Sequence, residues 1–316
     1  MRLVPILSAV LVLALCGSAA AGAVATKKLT AKSKDYDISI AYPVTGVKPV
    51  DDDVLAWAKS TMAEFKDDSA DRDPSEHAYY FEVTFQVKRN DGKVFAVLFD
   101  EYTDTGGAHP NHDYYAANYY MPDGWRIYLP ELLDGSRGLK RVSALATADL
   151  VKRIGTGNDA LSDPDTIKTG AAPDWNNFRS FILEPNAIAL YYPPYQVAAY
   201  AAGPQDGRIP LSALRDVMRP DPRKPAASFD CAGARTPVEQ RICSDVVLAR
   251  LDRDVAEAYS THMRGLADDP NKPLGVKLKA DQRAWLAKRD VACGTAEAAC
   301  LTAYYRARLA WFAKQP

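Results

Sequence analysis

Along most of the chain, apolar and polar positions alternate in the period of a strand; in the last third they recur in the period of a helix. "KDYDISIAY" places Tyr36, Ile38 and Ile40 on one side and polar partners on the other, as a half-buried strand requires. "DDDVLAWAKSTMAEF" follows aspartate caps with Val54, Leu55, Ala58, Met62 and Phe65 at helical spacing. "YYFEVTFQVKR" and "KVFAVLFDEYT", joined through Asn90, Asp91 and Gly92, predict a hairpin. Its Phe81, Val83, Phe85 and Val87 point one way and its Glu82, Thr84, Gln86 and Lys88 the other, which gives one dry face. Further strands fit "DYYAANYYM", "WRIYL", "FRSFILEP" and "AIALYY", and a second helix fits "RVSALATADLVKRI". The mixture predicts an α+β domain built on an antiparallel sheet.

The pattern breaks at "RPDPRKPAAS", residues 219–228, where three prolines rule out a helix or a central strand. Beyond it no convincing strand remains. "TPVE" sets Thr236 as N-cap, Pro237 at the first helical position and Glu239 at the third, a capping box that opens a short helix ending near Cys243. A second start at Ser244 or Asp245 leads into Leu248, Leu251, Val255, Tyr259 and Met263. A third helix after Pro273 carries Leu278, Gln282, Trp285, Leu286 and Arg289, and a fourth carries Cys300, Leu301, Tyr304, Tyr305, Arg308 and Phe312. The organisation predicted is a signal peptide at 1–25, an α+β binding domain at 26–218, a linker at 219–228 and a small all-α bundle at 229–316.

The leader rests on "MRLVPILSAVLVLALCGSAAAGAVATKK": one arginine, an apolar run from Leu3 to Leu15, then small residues, with no acid before Asp35. Cleavage fits after Ala21 or, by preference, after Ala25. The run is too short to span a membrane comfortably, so no transmembrane span is expected in the mature chain. Lipid anchoring at Cys16 is disfavoured because Leu15 stands where a lipoprotein signal wants a small side chain. The address read from this is the bacterial envelope, periplasmic or secreted.

In that compartment thiols oxidise, and four cysteines remain after the leader: Cys231, Cys243, Cys293 and Cys300. They predict two disulfides with three possible connectivities. The most economical pairs Cys231 with Cys243 and Cys293 with Cys300, each tying a helix end to its neighbour. Zinc would want paired short spacings or nearby histidines, and the last module holds His262 alone. A thiol nucleophile would need a base and a reduced state.

The formal net charge is −1, which excludes a nucleic-acid specialist, but it is unevenly spread. Residues 26–226 carry 24 Lys+Arg against 29 Asp+Glu, while 227–316 carry 14 against 11.

Two family resemblances follow from the motifs. "FDCAGARTPVEQRICSDVVLARLDRDVAEAY", "QRAWLAKRDVAC" and "CLTAYYRARL" resemble the LprI-type lysozyme-inhibitor family of exported bacterial proteins. The likeness runs through Cys231, Glu239, Ile242, Cys243, Leu248, Leu251, Asp252 and Tyr259, then Gln282, Trp285, Arg289 and Cys293, then Cys300, Leu301, Tyr305 and Arg308. "DTGGAHPNHDYYAANY", "RIYLPELL" and "ALYYPPYQVAAYAAGPQDGRIPLSAL" resemble the extracytoplasmic domain of RsiV-type anti-sigma factors and the region before the catalytic domain of PdaC-type peptidoglycan deacetylases. What the resemblances imply is a binding protein at the cell wall whose partner is a lysozyme-type muramidase or peptidoglycan. Gly106, Gly107, His109, Tyr195 and Gln196 are the candidate binding motif.

The same residues have plainer readings. In an extended segment His109 and His112 fall on opposite faces, so "HPNHD" reads as a turn, with φ > 0 glycines and His109 bonded to backbone, before it reads as a metal site. Tyrosines on a half-buried sheet are core before they are contact surface. Asp252 and Arg289, both on apolar helix faces, read as a buried pair that fixes helix register, and Trp285 as core. Carboxylates are scattered rather than paired, and no nucleophile elbow, P-loop or dinucleotide fingerprint occurs. No catalytic residue and no cofactor is expected. An animal lysozyme is basic, so the acidic first module is the better electrostatic match.

Overall fold

The structure is a computed structural model that describes residues 24–73, 75, 77–155, 161–221, 227–264 and 273–312. The segment expected to be a signal peptide, but for Val24 and Ala25, lies outside the described residues, as do 222–226 of the expected linker.

Strands β1 (Ala25–Lys32), β2 (Tyr36–Val44), β3 (Tyr79–Asn90), β4 (Val94–Asp104), β5 (Asn111–Tyr120) and β6 (Trp125–Arg126) form one sheet in chain order. Neighbours are antiparallel except β2 and β3, which run parallel. The cause is α1 (Lys48–Asp68), a crossover helix between them that returns the chain to the same end of the sheet. The sheet is therefore mixed, where the strand patterns alone predict an antiparallel one. Asp51, in the first turn of α1, reaches back to accept from Thr45 N–H and Oγ1 at 2.7 and 2.8 Å, which closes the turn into the helix.

The second half of the module folds over the opposite face. Helices α2 (Leu129–Leu132), α3 (Gly135–Ile154) and α4 (Pro164–Gly170) precede a small antiparallel sheet, β7 (Phe181–Leu183), β8 (Ala187–Tyr192) and β9 (Gln205–Pro210). Two apolar cores result, one on each face of the main sheet. Phe95, Val97 and Phe99 of β4 face Val50, Val54, Ala58 and Phe65 of α1. Val94, Ala96 and Leu98 of the same strand pack with Leu139, Val142 and Leu150 of α3 and with Ile182, Ile188 and Leu190 of the small sheet. On β3 the predicted dry face holds at Phe81 and Val83, with Phe85 half-buried and Thr84, Gln86 and Lys88 exposed, but Val87 at its far end is exposed too, and β4 is dry on both faces from Val94 to Phe99. The buried Asn118 fastens the small sheet to the large one: its Nδ2 donates to Phe181 O and its Oδ1 accepts from Leu183 N–H, both at 2.8 Å.

The last module is helical: α5 (Pro237–Ser244), α6 (Val246–Arg264), α7 (Pro273–Ala292) and α8 (Ala298–Phe312). The capping box forms, with Glu239 N–H donating to Thr236 Oγ1 at 3.1 Å and Thr236 N–H to Glu239 Oε2 at 2.9 Å. Asp245 caps α6 by accepting from Val247 and Leu248 N–H. Disulfides join Cys231 to Cys243 and Cys293 to Cys300, with Cα atoms 5.8 and 5.7 Å apart. Among the described residues no helix is long and apolar enough to cross a membrane.

Candidate binding surface

The tip of the β4–β5 hairpin and the loop after β8 meet. Gly106 takes φ +75°, and its N–H donates to Asp104 Oδ1 at 3.0 Å, turning the chain so that His109 and Pro110 face the loop. His109 Nδ1 lies 3.0 Å from the Pro110 carbonyl, which can only accept, so in the neutral ring Nδ1 carries the proton. Nε2 is then the acceptor for the Tyr195 hydroxyl, 2.8 Å away. The Tyr200 ring stacks on His109 with centroids 3.6 Å apart, and its hydroxyl donates to Pro110 O at 2.7 Å.

Tyr195 itself has φ +71°, a conformation costly for any residue with a Cβ, and is 59% exposed. Its N–H donates to Ala198 O at 3.0 Å, and its hydroxyl is held by His109, so the surroundings impose the conformation. The result is a rigid aromatic side chain at the rim of an open depression of about 580 Å³, bordered also by Leu161, Pro164 and Ala199. Leu161 is 51% exposed.

Of the residues expected to act together, Gly106, His109 and Tyr195 converge. Gln196 does not: its Nε2 turns inward and donates to Gly170 O and Asn177 O, both at 2.9 Å. That clasp seats the loop on α4 so closely that a Cβ on Gly170 would fall 1.8 Å from the Gln196 carbonyl oxygen. Gly107 borders open space, and His112 leaves the group to meet Asp100 at 3.0 Å.

The bundle's signature residues form its interior. The Tyr305 hydroxyl donates to Asp252 Oδ1 at 2.6 Å, and Arg289 Nη1 donates to that hydroxyl at 2.7 Å. Asp252 and Arg289 are thus joined mainly through Tyr305, their own closest approach being 4.0 Å. Arg308 binds Gln282 Oε1 at 2.7 Å and Asp281 at 2.7 Å, and Trp285 lies edge-on to Tyr305. Tyr259 packs at the margin of the same core.

The sequence patterns miss where the modules meet. On α6, Arg250 Nη1 donates to Arg126 O at 2.5 Å and pairs at 3.4 Å with Glu131, which is 1% exposed. Asp254 accepts from the Tyr128 hydroxyl at 3.0 Å. Burial pushes the Asp254 carboxyl up to about 6, against the opposing pull of Arg250 and the Tyr128 bond. Arg126 sits among the rings of Tyr115, Tyr119 and Tyr128 and binds Asp53 at 2.8 Å. Burial opposes its charge, yet Tyr115, Tyr119 and Asp53 hold it well above its ordinary value. A charged residue inside the apolar run "WRIYL" was the one available signal for this junction.

The fold and its surfaces define a two-module protein, an α+β domain docked to a disulfide-stapled helical bundle. Residues 20–112 match the family model "Deacetylase PdaC", residues 132–212 match "Protein of unknown function (DUF3298)", and residues 231–312 match "Lysozyme inhibitor LprI". The PdaC-like first module and LprI-like bundle expected from the sequence are both found. The chain is 26% identical over 202 residues, 63% of its length, to the peptidoglycan-N-acetylmuramic acid deacetylase PdaC of Bacillus subtilis (strain 168). It spans 42% of that relative's length. Crystal structures of DUF3298 family proteins from Pseudomonas aeruginosa PAO1 and Bacteroides fragilis NCTC 9343 are 18% and 17% identical to it. The likeness covers 63% and 64% of this chain and 96% of each of those, with TM-scores of 0.47 and 0.45.

Proposed function

We propose that this is an exported, non-enzymatic envelope protein, with residues 1–25 as its signal peptide, that binds a lysozyme-type muramidase and restrains it. The observation that carries the reading is Tyr195, an exposed aromatic ring fixed in a strained conformation by His109 beside an open depression. Interfaces are anchored by such pre-ordered aromatic groups, which lose little freedom on binding. The match of the bundle to a lysozyme-inhibitor model supports the choice of partner. The acidic excess of residues 26–226 supports the choice of face, since it attracts a basic enzyme at long range. Two disulfides fit an oxidising compartment.

Mixing the purified protein with lysozyme and following the lysis of cell walls tests this. Slowed lysis is expected, and Tyr195→Ala should weaken it roughly tenfold or more, the range of an anchor residue. Undiminished lysis with no recovery of lysozyme on the immobilised protein would remove the reading; recovery of peptidoglycan instead would move the function to wall binding. A deacetylase-related activity is favoured by the match of residues 20–112 to the model "Deacetylase PdaC" and by the 26% identity to a relative of that name, and release of acetate from purified wall would establish it.

A further inference from the structure

Strand β1 ends the six-stranded sheet, with β2 on one side and no described strand on the other. Where β1 turns into β2, Ser33 N–H donates to Tyr36 O at 2.8 Å, and that bond fixes the phase of the ladder. In an antiparallel pair, residues that bond the neighbouring strand alternate with residues that do not. Counting back from Ser33, Ala31, Leu29 and Lys27 bond β2, while Lys32, Thr30, Lys28 and Thr26 turn N–H and C=O outward. Pro43, which has no N–H, falls opposite Thr26, a pair that this alternation leaves unbonded.

The side chains divide in the same phase. Lys27, Leu29 and Ala31 lie on the α1 face of the sheet, where Leu29 and Ala31 are half-buried against its core. Thr26, Lys28, Thr30 and Lys32 lie on the other face and are exposed. Lys32 pairs with Asp37 of β2 at 2.5 Å. Lys27, Lys28 and, in the turn after β1, Lys34 are exposed and form no ion pair among the described residues. The open edge of an otherwise acidic module thus carries unopposed positive charge.

Edge lysines deter a neutral strand, and they deter a second copy of β1, which would bring its own lysines to the same edge. The deterrent reverses for an acidic strand, because opposite charges on neighbouring strands attract. The expected leader, with no acid before Asp35, does not supply such a strand. A second requirement comes from Leu29 and Ala31, which leave half-buried apolar surface at the margin of the other face. We propose that β1 accepts a further strand from another protein, an extended segment in which acidic residues alternate with apolar ones. The acids lie over Lys28 and Lys32 on one face, and the apolar side chains lie beside Leu29 and Ala31 on the other. Backbone bonds to Thr26, Lys28, Thr30 and Lys32 supply the affinity, and the alternation supplies the selection. The inference is independent of the muramidase reading, which rests on Tyr195.

The test uses the intact oxidised protein and labelled octapeptides of four kinds: alternating Glu and Val, alternating Lys and Val, all Glu, and the Glu–Val sequence N-methylated throughout. Fluorescence anisotropy at about 0.15 M salt follows binding, and amide hydrogen exchange reads β1 directly. The Glu–Val peptide should bind about tenfold or more tighter than each of the others, and should slow exchange at the N–H groups of Thr26, Lys28, Thr30 and Lys32. Lys28→Glu turns an attraction into a repulsion and Thr30→Pro removes an outward donor; each should weaken binding about fivefold, with Tyr195→Ala unchanged. Proline at an outward-facing position of an edge strand spares the ladder. Should Thr30→Pro still fail to fold, Lys28→Glu decides, since its side chain is exposed. No binding of the Glu–Val peptide, equal or tighter binding of any other, full affinity in Lys28→Glu, or unchanged exchange at those amides would overturn the proposal. So would a dimer of the free protein that dissociates in Thr30→Pro, which would give the edge to a second copy.

Discussion

The α+β module buries β4 between two apolar layers, so Phe95, Val97 and Phe99 on one face and Val94, Ala96 and Leu98 on the other are all out of water. The bundle buries far less: its sealed interior is a short set from Ala227 and Val238 to Phe312, and three of its buried positions are the charged Asp252, Arg289 and Arg308. A wide apolar core supports itself through area removed from water. A thin one with charges in it needs those charges paired, because a buried pair that loses one member is left with an uncompensated charge. It also gains from covalent links that restrict its unfolded chain. The bundle uses both devices; the first module also pairs buried charges, Arg72 with Asp35 at 3.0 Å and Arg126 with Asp53 at 2.8 Å, but its described residues hold no disulfide.

Breaking the clasps should have the largest effect. In the chain-entropy account the loops closed by Cys231–Cys243 and Cys293–Cys300 contribute about 3 and about 2.5 kcal/mol. Reduction, or Cys243→Ser with Cys293→Ser, should therefore melt the bundle first. Chemical unfolding would show one transition splitting into two, the later one belonging to the α+β module. A single transition that stays in place would remove the contrast between the modules.

Next in size is the polar joint of the first module. Asn118→Ala strands the Phe181 carbonyl and the Leu183 N–H in the interior, at about 1–3 kcal/mol each. A loss of about 2–4 kcal/mol is expected in the later transition, with the bundle's transition unmoved.

The seam between the modules responds to pH. Asp254 titrates near 6 when docked, against 3.8 ordinarily, because burial penalises its charge. A carboxyl whose value is raised on docking binds its proton more tightly there, so its share of stability is full below about pH 4 and lost as pH rises through about 6. That share is of order 1–3 kcal/mol. Asp254→Asn keeps the acceptor for Tyr128 and removes the charge, so stability between pH 4 and 7 should flatten and rise at neutral pH. An unchanged pH profile would place Asp254 in water.

Why these features were unevenly legible follows from the range of the forces involved. Capping boxes, strand alternation and helical stripes act over a few residues, and Thr236 to Glu239 or Phe81 to Phe85 can be read from spacing, whereas Val87, on the same side of the pattern, ends exposed. The parallel pairing of β2 with β3 depends on where α1 returns the chain, and the second dry face of β4 on residues from 133 onward. Strand β1 was missed because Lys27, Lys28 and Lys32 suit a sheet edge and leave a weak pattern. "WRIYL" shortens to Trp125–Arg126 since Pro130 opens α2, and "FRSFILEP" to Phe181–Leu183 since Asp174 starts a helical turn just before. In the candidate motif, Gly106, His109 and Tyr195 carry unusual residues at turns and were visible. Gln196 shares their segment, but its inward direction is set by Gly170, which local pattern does not encode.

The smallest effect sharpens the comparison most. Thr236 accepts from Glu239 N–H, and Glu239 accepts in return from Thr236 and Arg235 N–H, which hold its carboxyl below the usual range. Thr236→Ala should cost about 1 kcal/mol. The helix it starts is tied seven residues along by Cys243 to Cys231, just ahead of the cap, so its first turn is confined even when uncapped. Without that tie the turn can fray freely. The loss should then be larger with Cys231 and Cys243 both replaced by serine than with the disulfide present, a coupling that a double-mutant cycle measures as departure from additivity. Strict additivity would mean that clasp and cap act on separate parts of the bundle, and that the covalent link contributes through the unfolded chain alone.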